Sequence, residues 1–153
     1  MPAGRDHEGP RLTGMARVDI AYDFSLPPGR VFAYLSEHEN LGPLFGATIE
    51  RVRDGVDSRN GAGSVRRLQV GPLPAFEETV VEAVPDRRIV YRITNGSPLR
   101  GHSGQLDFSE LGAGTRLHYV IEFGAVVPGL ADVVAWQLAR SLRSGLEDVD
   151  RLG

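Results

Sequence analysis

The longest regular pattern in the sequence is PGLADVVAWQLARSLRSGLEDV, residues 128–149. Charged residues take one side of this stretch, and apolar residues recur every four positions on the other side, at Leu130, Val134, Leu138 and Leu142. Such spacing predicts one long amphipathic helix. A helix with a single apolar stripe must bury that stripe against another layer of the fold.

The chain before this helix shows the alternation of apolar and polar residues that is typical of half-buried strands. We expect seven strands, over residues 18–24, 47–53, 64–70, 76–84, 89–94, 100–110 and 117–123. Two short helices are expected between the first and second strands, at about residues 31–38 and 40–46. The later strands follow one another through short turns, which favours an antiparallel sheet and an α+β fold.

The composition excludes several classes of function. At 153 residues the chain fits one domain, predicted over residues 16–153 after a disordered tail at 1–15 that is rich in Pro, Gly and charge. It has no cysteine and no lysine, so thiol and Schiff-base chemistry are excluded. A net charge of −3 argues against nucleic-acid binding.

Hydropathy predicts where the protein is located in the cell, and motif content predicts which cofactors it could bind. No apolar run reaches the roughly 20 residues that a membrane span requires, and the first residues lack the apolar core of a signal peptide. We therefore expect a cytoplasmic protein without a membrane span. We expect no cofactor, because neither Gly61-Ala-Gly nor Gly112-Ala-Gly-Thr has the strand–loop–helix context of a phosphate loop. We expect no metal, because His118 and Glu122 lack a third ligand.

The order of strand, two short helices, six strands and a long helix is that of the helix-grip fold. Within it, four stretches resemble the SRPBCC superfamily, which includes START-like lipid-transport domains and polyketide cyclases: FSLPPGRVFAYL (24–35), GSVRR (63–67), PDRRIVYRIT (85–94) and GTRL (114–117). With the last helix they extend over nearly everything from residue 17 onward. The resemblance implies a curved seven-stranded antiparallel sheet wrapped around the C-terminal helix, with a ligand cavity between them.

One likeness within that superfamily is closer. Residues 71–75, GPLPA, resemble the Ser-Gly-Leu-Pro-Ala gate of the plant abscisic-acid receptors, and SPLRGH at 97–102 resembles the region of their latch. The latch histidine and the characteristic lysine of those receptors are absent, so hormone sensing is not implied. The likeness implies that both loops, including Leu73, border a pocket mouth, and that the pocket is lined by Tyr91, Ile93, His102, Leu130, Val134 and Leu138.

His102 is the sharpest chemical candidate. It shares one strand face with the apolar residues Leu106 and Phe108, so its imidazole is expected to face the cavity. There it could donate to a ligand carbonyl, or act as an acid or base near neutral pH. The alternative is a core histidine satisfied by a tyrosine or by the backbone.

Two adjacent charged pairs, Arg66-Arg67 and Glu77-Glu78, lie on neighbouring predicted strands. Because successive residues alternate faces, one member of each pair points inward. An inward arginine and glutamate could pair in the cavity or hold a polar ligand group; the alternative is that these residues line the solvated rim of the sheet. The strand 64–70 reads either with Arg66 facing inward beside Leu68 and Val70, or with Arg67 and Gln69 inward beside Val65. The receptor-like register favours the second, so Arg67 and Gln69 are the expected ligand contacts.

Aromatic residues form a third set of candidates. They could line a cavity for a planar or acyl ligand, or form an ordinary core: Tyr34, Phe45, Phe76, Tyr91 and Tyr119.

Trp136 does not share the apolar stripe of its helix. It lies on the face of Arg140 and Arg143, which suggests a homodimer seam or another partner contact. It could also pack under a loop or the N-terminal tail.

Together these patterns predict a protein that binds a small hydrophobic molecule (a lipid, polyketide or isoprenoid) between the sheet and the last helix. The alternative is a polyketide cyclase or aromatase that works on a poly-β-ketone chain in the same cavity, with His102 as the catalytic candidate.

Overall fold

A computed structural model describes residues 15–152 of the chain. Its seven strands are β1 Met15–Phe24, β2 Thr48–Arg53, β3 Val65–Gln69, β4 Phe76–Val84, β5 Arg88–Asn95, β6 Leu99–Leu111 and β7 Gly114–Ala125. Its helices are α1 Pro28–Ser36, α2 Gly42–Phe45 and α3 Leu130–Leu152, with a 3-10 turn at His38–Asn40.

All seven strands form one antiparallel sheet in the order β1-β7-β6-β5-β4-β3-β2. This is the predicted α+β helix-grip arrangement, with a curved sheet against a long C-terminal helix and two short helices between the first two strands. The long helix ends three residues later than the pattern indicated, at Leu152. The predicted tail at 1–15 lies outside the described residues except for Met15, which already belongs to β1.

The two halves of α3 are buried to different extents. In the C-terminal half Leu142, Leu146 and Val149 are completely or almost completely buried. A Cβ at Gly145 would stand 2.9 Å from Cγ of Leu44. The Leu44 side chain of α2 therefore packs directly against the backbone of α3. The N-terminal half is looser, because its stripe residues Leu130, Val134 and Leu138 are half-buried.

The outer face of the sheet is solvated and carries ion pairs. The Arg17 guanidinium pairs with Glu122, and His118 Nε2 lies 2.7 Å from Asp19 Oδ1. His118 and Glu122 therefore have charged partners on an exposed face. The inner face holds the core, where Leu117, Ile121 and Phe123 of β7 are buried.

Candidate functional site

A bulge in β6 aims His102 into the interior. Leu99 and Arg100 pair with β7, and pairing then shifts register before Ser103. Gly101 within the shift has φ +59°, a left-handed conformation that glycine adopts without strain. The extra residue lets Leu99 and His102 both turn toward the core. The His102 ring lies 5.5 Å from the Tyr91 ring and 6.4 Å from the Phe123 ring.

The hydrogen bonds of His102 fix its tautomer. Its Nδ1 accepts the backbone N–H of Ile93 at 3.0 Å, so the proton of the neutral ring sits on Nε2. That nitrogen faces Glu78 Oε2 at 3.8 Å. Burial lowers the pKa of His102, and Glu78 opposes the effect only in part. The ring is therefore a neutral donor directed at a carboxylate.

Arg66 and Glu78 form an ion pair inside the fold, with side chains that are 3% and 6% exposed. Nε of Arg66 donates to Glu78 Oε1 at 2.9 Å, and Nη2 lies 2.8 Å from the same oxygen. The pair spans β3 and β4, where the two residues are in register. Buried charges are rare in domains of this size unless they are paired.

This pair corrects the predicted facing of β3. Arg67 and Gln69 do not face inward: Arg67 is 49% exposed and pairs with Glu77 at 3.1 Å on the opposite side of the sheet, and the Gln69 amide donates to the Leu73 carbonyl. The register that buries Leu68 brings Arg66 inward with it. Glu78 neutralises the charge that this register buries.

Two tyrosines and a phenylalanine surround the ion pair. The hydroxyls of Tyr91 and Tyr119 are hydrogen-bonded at 2.5 Å, and burial raises the pKa of both phenols. Cζ of Arg66 lies 4.8 Å from the Tyr91 ring centroid and 5.7 Å from that of Phe45, within the range of cation–π attraction. We call Arg66, Glu78, Tyr91, His102 and Tyr119 the interior polar cluster.

The space beside this cluster is almost filled. It is a cavity of about 10 Å³, lined by Leu35, Ser36, Leu41, Leu44, Phe45, Asn60, Arg66, Val80, Ile89, Tyr91, Leu106 and Tyr119. That volume holds at most one water molecule. The side chains of Phe45, Arg66, Tyr91 and Tyr119 therefore leave no room for a ligand at this point of the interior.

A larger opening lies on the outer side of α2. This cleft of about 450 Å³ is lined by Gly42, Pro43, Gly46, Ala47, Thr48, Gln69 and Gly71. Residues of α2 contribute to both spaces, with Gly42 and Pro43 facing the cleft and Leu44 and Phe45 facing the small cavity. The short helix α2 therefore separates the cleft from the interior polar cluster.

The loop at 71–75 and the turn at 95–98 are neighbours. A Cβ on Gly96 would stand 2.9 Å from the carbonyl oxygen of Ala75, so the loops touch at that point. Leu73 projects from the first loop and is 59% exposed.

The remaining predicted site residues are dispersed. Of the predicted set, Phe45, Tyr91 and Tyr119 line the small cavity, and His102 lies against Tyr91. Those that are half-buried and do not line the cavity are Tyr34, Phe76, Ile93, Leu130, Val134 and Leu138. Val134 and Leu138 pack against the core from α3.

His38 is a buried polar residue that sequence reasoning missed. Its Nε2 lies 3.0 Å from Ser64 Oγ, which in turn donates to the Gly61 carbonyl at 2.7 Å. His38 must therefore be the donor to Ser64, and its Nδ1 is buried without a hydrogen-bond partner. Burial, helped by the charges of Arg66 and Arg51, lowers the pKa of His38 to about 3.

Two kinds of feature are absent from residues 15–152. They hold no group of three or more His, Cys, Asp or Glu side chains placed to bind a metal ion. They also contain no helix with the length and hydropathy needed to cross a bilayer.

Solved structures of other proteins share this fold. The aromatase/cyclase from a Streptomyces species is 21% identical over 90% of this chain and 94% of its own, with a TM-score of 0.71. A Thermus thermophilus protein is 21% identical over 90% and 98% of the two chains, with a TM-score of 0.72. A Rhizobium loti protein is 24% identical over 88% and 96%, with a TM-score of 0.63. None of the curated proteins compared with the chain matches it.

These likenesses establish the fold but not the family, which is established by a family model. The model for polyketide cyclase / dehydrase and lipid transport proteins matches residues 15–152, which is the whole described domain. The predicted SRPBCC-type membership is thereby confirmed, and the chain belongs to the polyketide cyclase / dehydrase and lipid transport family.

Proposed function

We propose that this protein binds a small hydrophobic molecule, such as a lipid, polyketide or isoprenoid, between the inner face of the sheet and the N-terminal half of α3. The interior polar cluster carries the proposal. A buried ion pair beside a neutral histidine stabilises a fold no better than apolar residues of the same volume would. Groups of this kind cluster at functional sites, where they contact a ligand.

The binding site is closed in this structure, so a ligand must displace side chains to enter. Phe45 is half-buried, its ring centroid lies 5.7 Å from Cζ of Arg66, and it belongs to the short helix whose Gly42 and Pro43 line the outer cleft. The glycines Gly42 and Gly46 flank it at the two ends of α2. Val134 and Leu138 of α3, which pack against the core, are also only half-buried. We propose that rotation of Phe45, with a small outward shift of the first turns of α3, opens the site.

Binding can be tested with the inward and outward arginines of β3 as a matched pair. Native mass spectrometry with a panel of long-chain alcohols, isoprenols and aromatic polyketides is expected to detect a one-to-one complex. Arg66→Gln is expected to weaken that complex, whereas Arg67→Gln, adjacent in sequence but on the exposed face, leaves it unchanged. Circular dichroism would establish that both variants are folded. Absence of any complex across the panel would overturn the proposal.

A second candidate is catalysis of polyketide cyclisation or aromatisation in the same site. The observation in its favour is that donors and a carboxylate meet at one point: His102 Nε2 faces Glu78 at 3.8 Å beside the Arg66 guanidinium. The His102 Nε2–H would polarise a ketone oxygen, and Glu78 Oε2 would take the proton of an adjacent carbon. The family description and the related Streptomyces aromatase/cyclase support this candidate.

A variant of His102 distinguishes catalysis from binding. His102→Phe keeps an aromatic ring of similar size but cannot donate a hydrogen bond. If the protein is an enzyme, this variant is expected to lose cyclised product from a poly-β-ketone substrate while still binding it. Unchanged product formation in His102→Phe would remove His102 from the reaction.

The Trp136 face is proposed as the contact with a second copy of the chain. Trp136 is 62% exposed and Val133, one turn before it, is 60% exposed, so α3 presents an apolar pair to solvent. Sedimentation velocity is expected to show a dimer that Trp136→Ser converts to a monomer. A wild-type protein that is already monomeric at micromolar concentration would contradict this part of the proposal.

A further inference from the structure

The charge of the interior points to the kind of polar group that a ligand carries. Among residues 15–152 the buried polar or charged residues, besides the tyrosines, are His38, Ser64, Arg66, Glu78 and Thr115, and the side chain of His102 is 6% exposed. Arg66 and Glu78 carry opposite charges and contact each other. His102 and His38 are neutral at physiological pH because burial lowers the pKa of each. The interior therefore contains one positive and one negative charge, which cancel.

The geometry of the ion pair leaves no cation for an anionic ligand. Two guanidinium nitrogens of Arg66, Nε and Nη2, are directed at Glu78 Oε1. A ligand carboxylate near Arg66 would also lie close to the Glu78 carboxylate, and the two like charges repel strongly at low dielectric. A carboxylate would therefore enter this site as an uncompensated buried charge.

Neutral oxygen groups fit the same site well. The Nε2–H of His102 can donate to a carbonyl or hydroxyl oxygen, since its own distance to Glu78 is 3.8 Å and leaves it without a close acceptor. Glu78 Oε2 can accept a hydroxyl proton. One hydroxyl of the Tyr91–Tyr119 pair retains a proton after the bond between them is made. Donors and an acceptor are present together, but no net charge.

We propose that the site selects neutral oxygenated ligands, that is ketones, enols and alcohols, over carboxylates and other anions of the same hydrocarbon size. This inference rests on the proposed function, and Glu78 is the residue that sets the selectivity. Because Glu78 forms an ion pair with Arg66, the guanidinium charge is not available to a ligand. Removal of the Glu78 charge would leave Arg66 as an unpaired cation and turn the site into one that prefers carboxylates.

The test compares 1-decanol and 2-undecanone with decanoate at pH 8 by isothermal titration calorimetry. The wild-type protein is expected to bind the neutral compounds at least roughly tenfold more tightly, a difference of about 1.4 kcal/mol. Glu78→Gln is expected to reverse the order. Glu77→Gln serves as the matched control, because Glu77 also pairs with an arginine but on the outer side of β4, and it is expected to keep the wild-type order.

Glu78→Gln leaves Arg66 as a buried charge without a partner, and this can unfold the domain. In that case decanoate, and not 1-decanol, is expected to restore the folded circular dichroism signal of the variant, because the ligand supplies the missing negative charge. The inference is overturned if decanoate binds the wild type as tightly as the neutral compounds, or if Glu78→Gln neither reverses the order nor is rescued by decanoate. Failure of all three compounds to bind would instead overturn the proposed function.

Discussion

The ring of Tyr91 lies against the backbone of Gly104, so closely that a Cβ at position 104 would stand 2.2 Å from Tyr91 Cζ. The two residues are paired across β5 and β6. The absence of a side chain at Gly104 thus creates the space in which Tyr91 reaches Tyr119 and stacks under Arg66. A glycine in the middle of a strand weakens the strand and is typical of such close approaches.

Replacement of Gly104 by alanine is therefore expected to displace the Tyr91 ring. We expect Gly104→Ala to lower the free energy of unfolding by about 1–3 kcal/mol, the usual range for overpacking a core, and to weaken ligand binding. Urea unfolding and the binding assay would measure the two effects. Gly29→Ala is the control, because a Cβ there meets only the Asp86 carboxylate at 3.7 Å. Equal stability of Gly104→Ala and wild type would contradict the account.

Phe45 is expected to limit the rate at which ligands enter. Phe45→Ala removes the half-buried ring that lines the small cavity beside Arg66, so association is expected to become faster in stopped-flow measurements. The free energy of unfolding should fall by roughly 2 kcal/mol, less than for a fully buried phenylalanine.

Phe32 provides the comparison for this variant. It is also half-buried, but it stacks on Phe108 at a centroid distance of 5.4 Å and does not line the cavity. Phe32→Ala should lose stability without a change in association rate. If both variants accelerate association, general loosening of the fold and not a gate at Phe45 is the cause.

The stability of the fold is expected to fall in mild acid because of His38. Its pKa is about 3 in the folded protein against an ordinary 6.5, so the unfolded chain binds more protons between these values. Stability is full above pH 6.5 and is lost by about 1.4 kcal/mol for each pH unit below it, or about 2 kcal/mol at pH 5. His102, whose pKa is also lowered, adds to the loss in the same direction.

The His38 contribution can be isolated by substitution. Gln at position 38 can still donate to Ser64 but does not titrate. Urea unfolding at pH 7.5 and pH 5 should show a clearly smaller pH dependence in His38→Gln than in the wild type. If the free energy of unfolding depends on pH equally in the two proteins, His38 is accessible to protons in the folded state.

The interior ion pair is expected to serve binding more than stability. A double variant, Arg66→Met with Glu78→Leu, replaces both charges by apolar side chains of similar volume. Such replacements leave stability unchanged or raise it by about 1–4 kcal/mol. We expect the double variant to unfold at the same or a higher temperature in calorimetry while losing its preference among polar ligands. A large loss of stability would identify the pair as a structural element.

The sequence predicted the architecture because its apolar periodicities are long and unambiguous. Residues 117–123 carry an apolar side chain at every second position, and the stripe of α3 extends over five turns. Such patterns leave one face that can be buried, and burial of apolar surface is what determines the layers.

The facing of β3 could not be decided in the same way. Val65, Leu68 and Val70 fall on both faces of that strand, with an arginine on each face. The choice depends on a residue from another strand, since Glu78 pairs with Arg66 only after β3 and β4 are in register. Apolar periodicity contains no such information, so Arg67 was predicted to face inward in place of Arg66.

The closed interior could not be predicted from apolar periodicity either. Whether Phe45, Tyr91 and Arg66 surround a hollow or fill it depends on side-chain packing to within about one water diameter. In hindsight Gly101 and Gly104 were the available signal, because two glycines in one strand around His102 indicate a bulge and a close approach.

The most direct test of the central claim is an NMR titration of the isotopically labelled protein with 2-undecanone, followed by measurement of contacts between ligand and protein protons. The account predicts nuclear Overhauser effects from the ligand to the rings of Phe45, Tyr91 and His102, with a change in the His102 ring signals as Nε2 donates to the ketone. Contacts confined to the exposed residues Leu73, Val133 and Trp136, with the His102 signals unchanged, would contradict it.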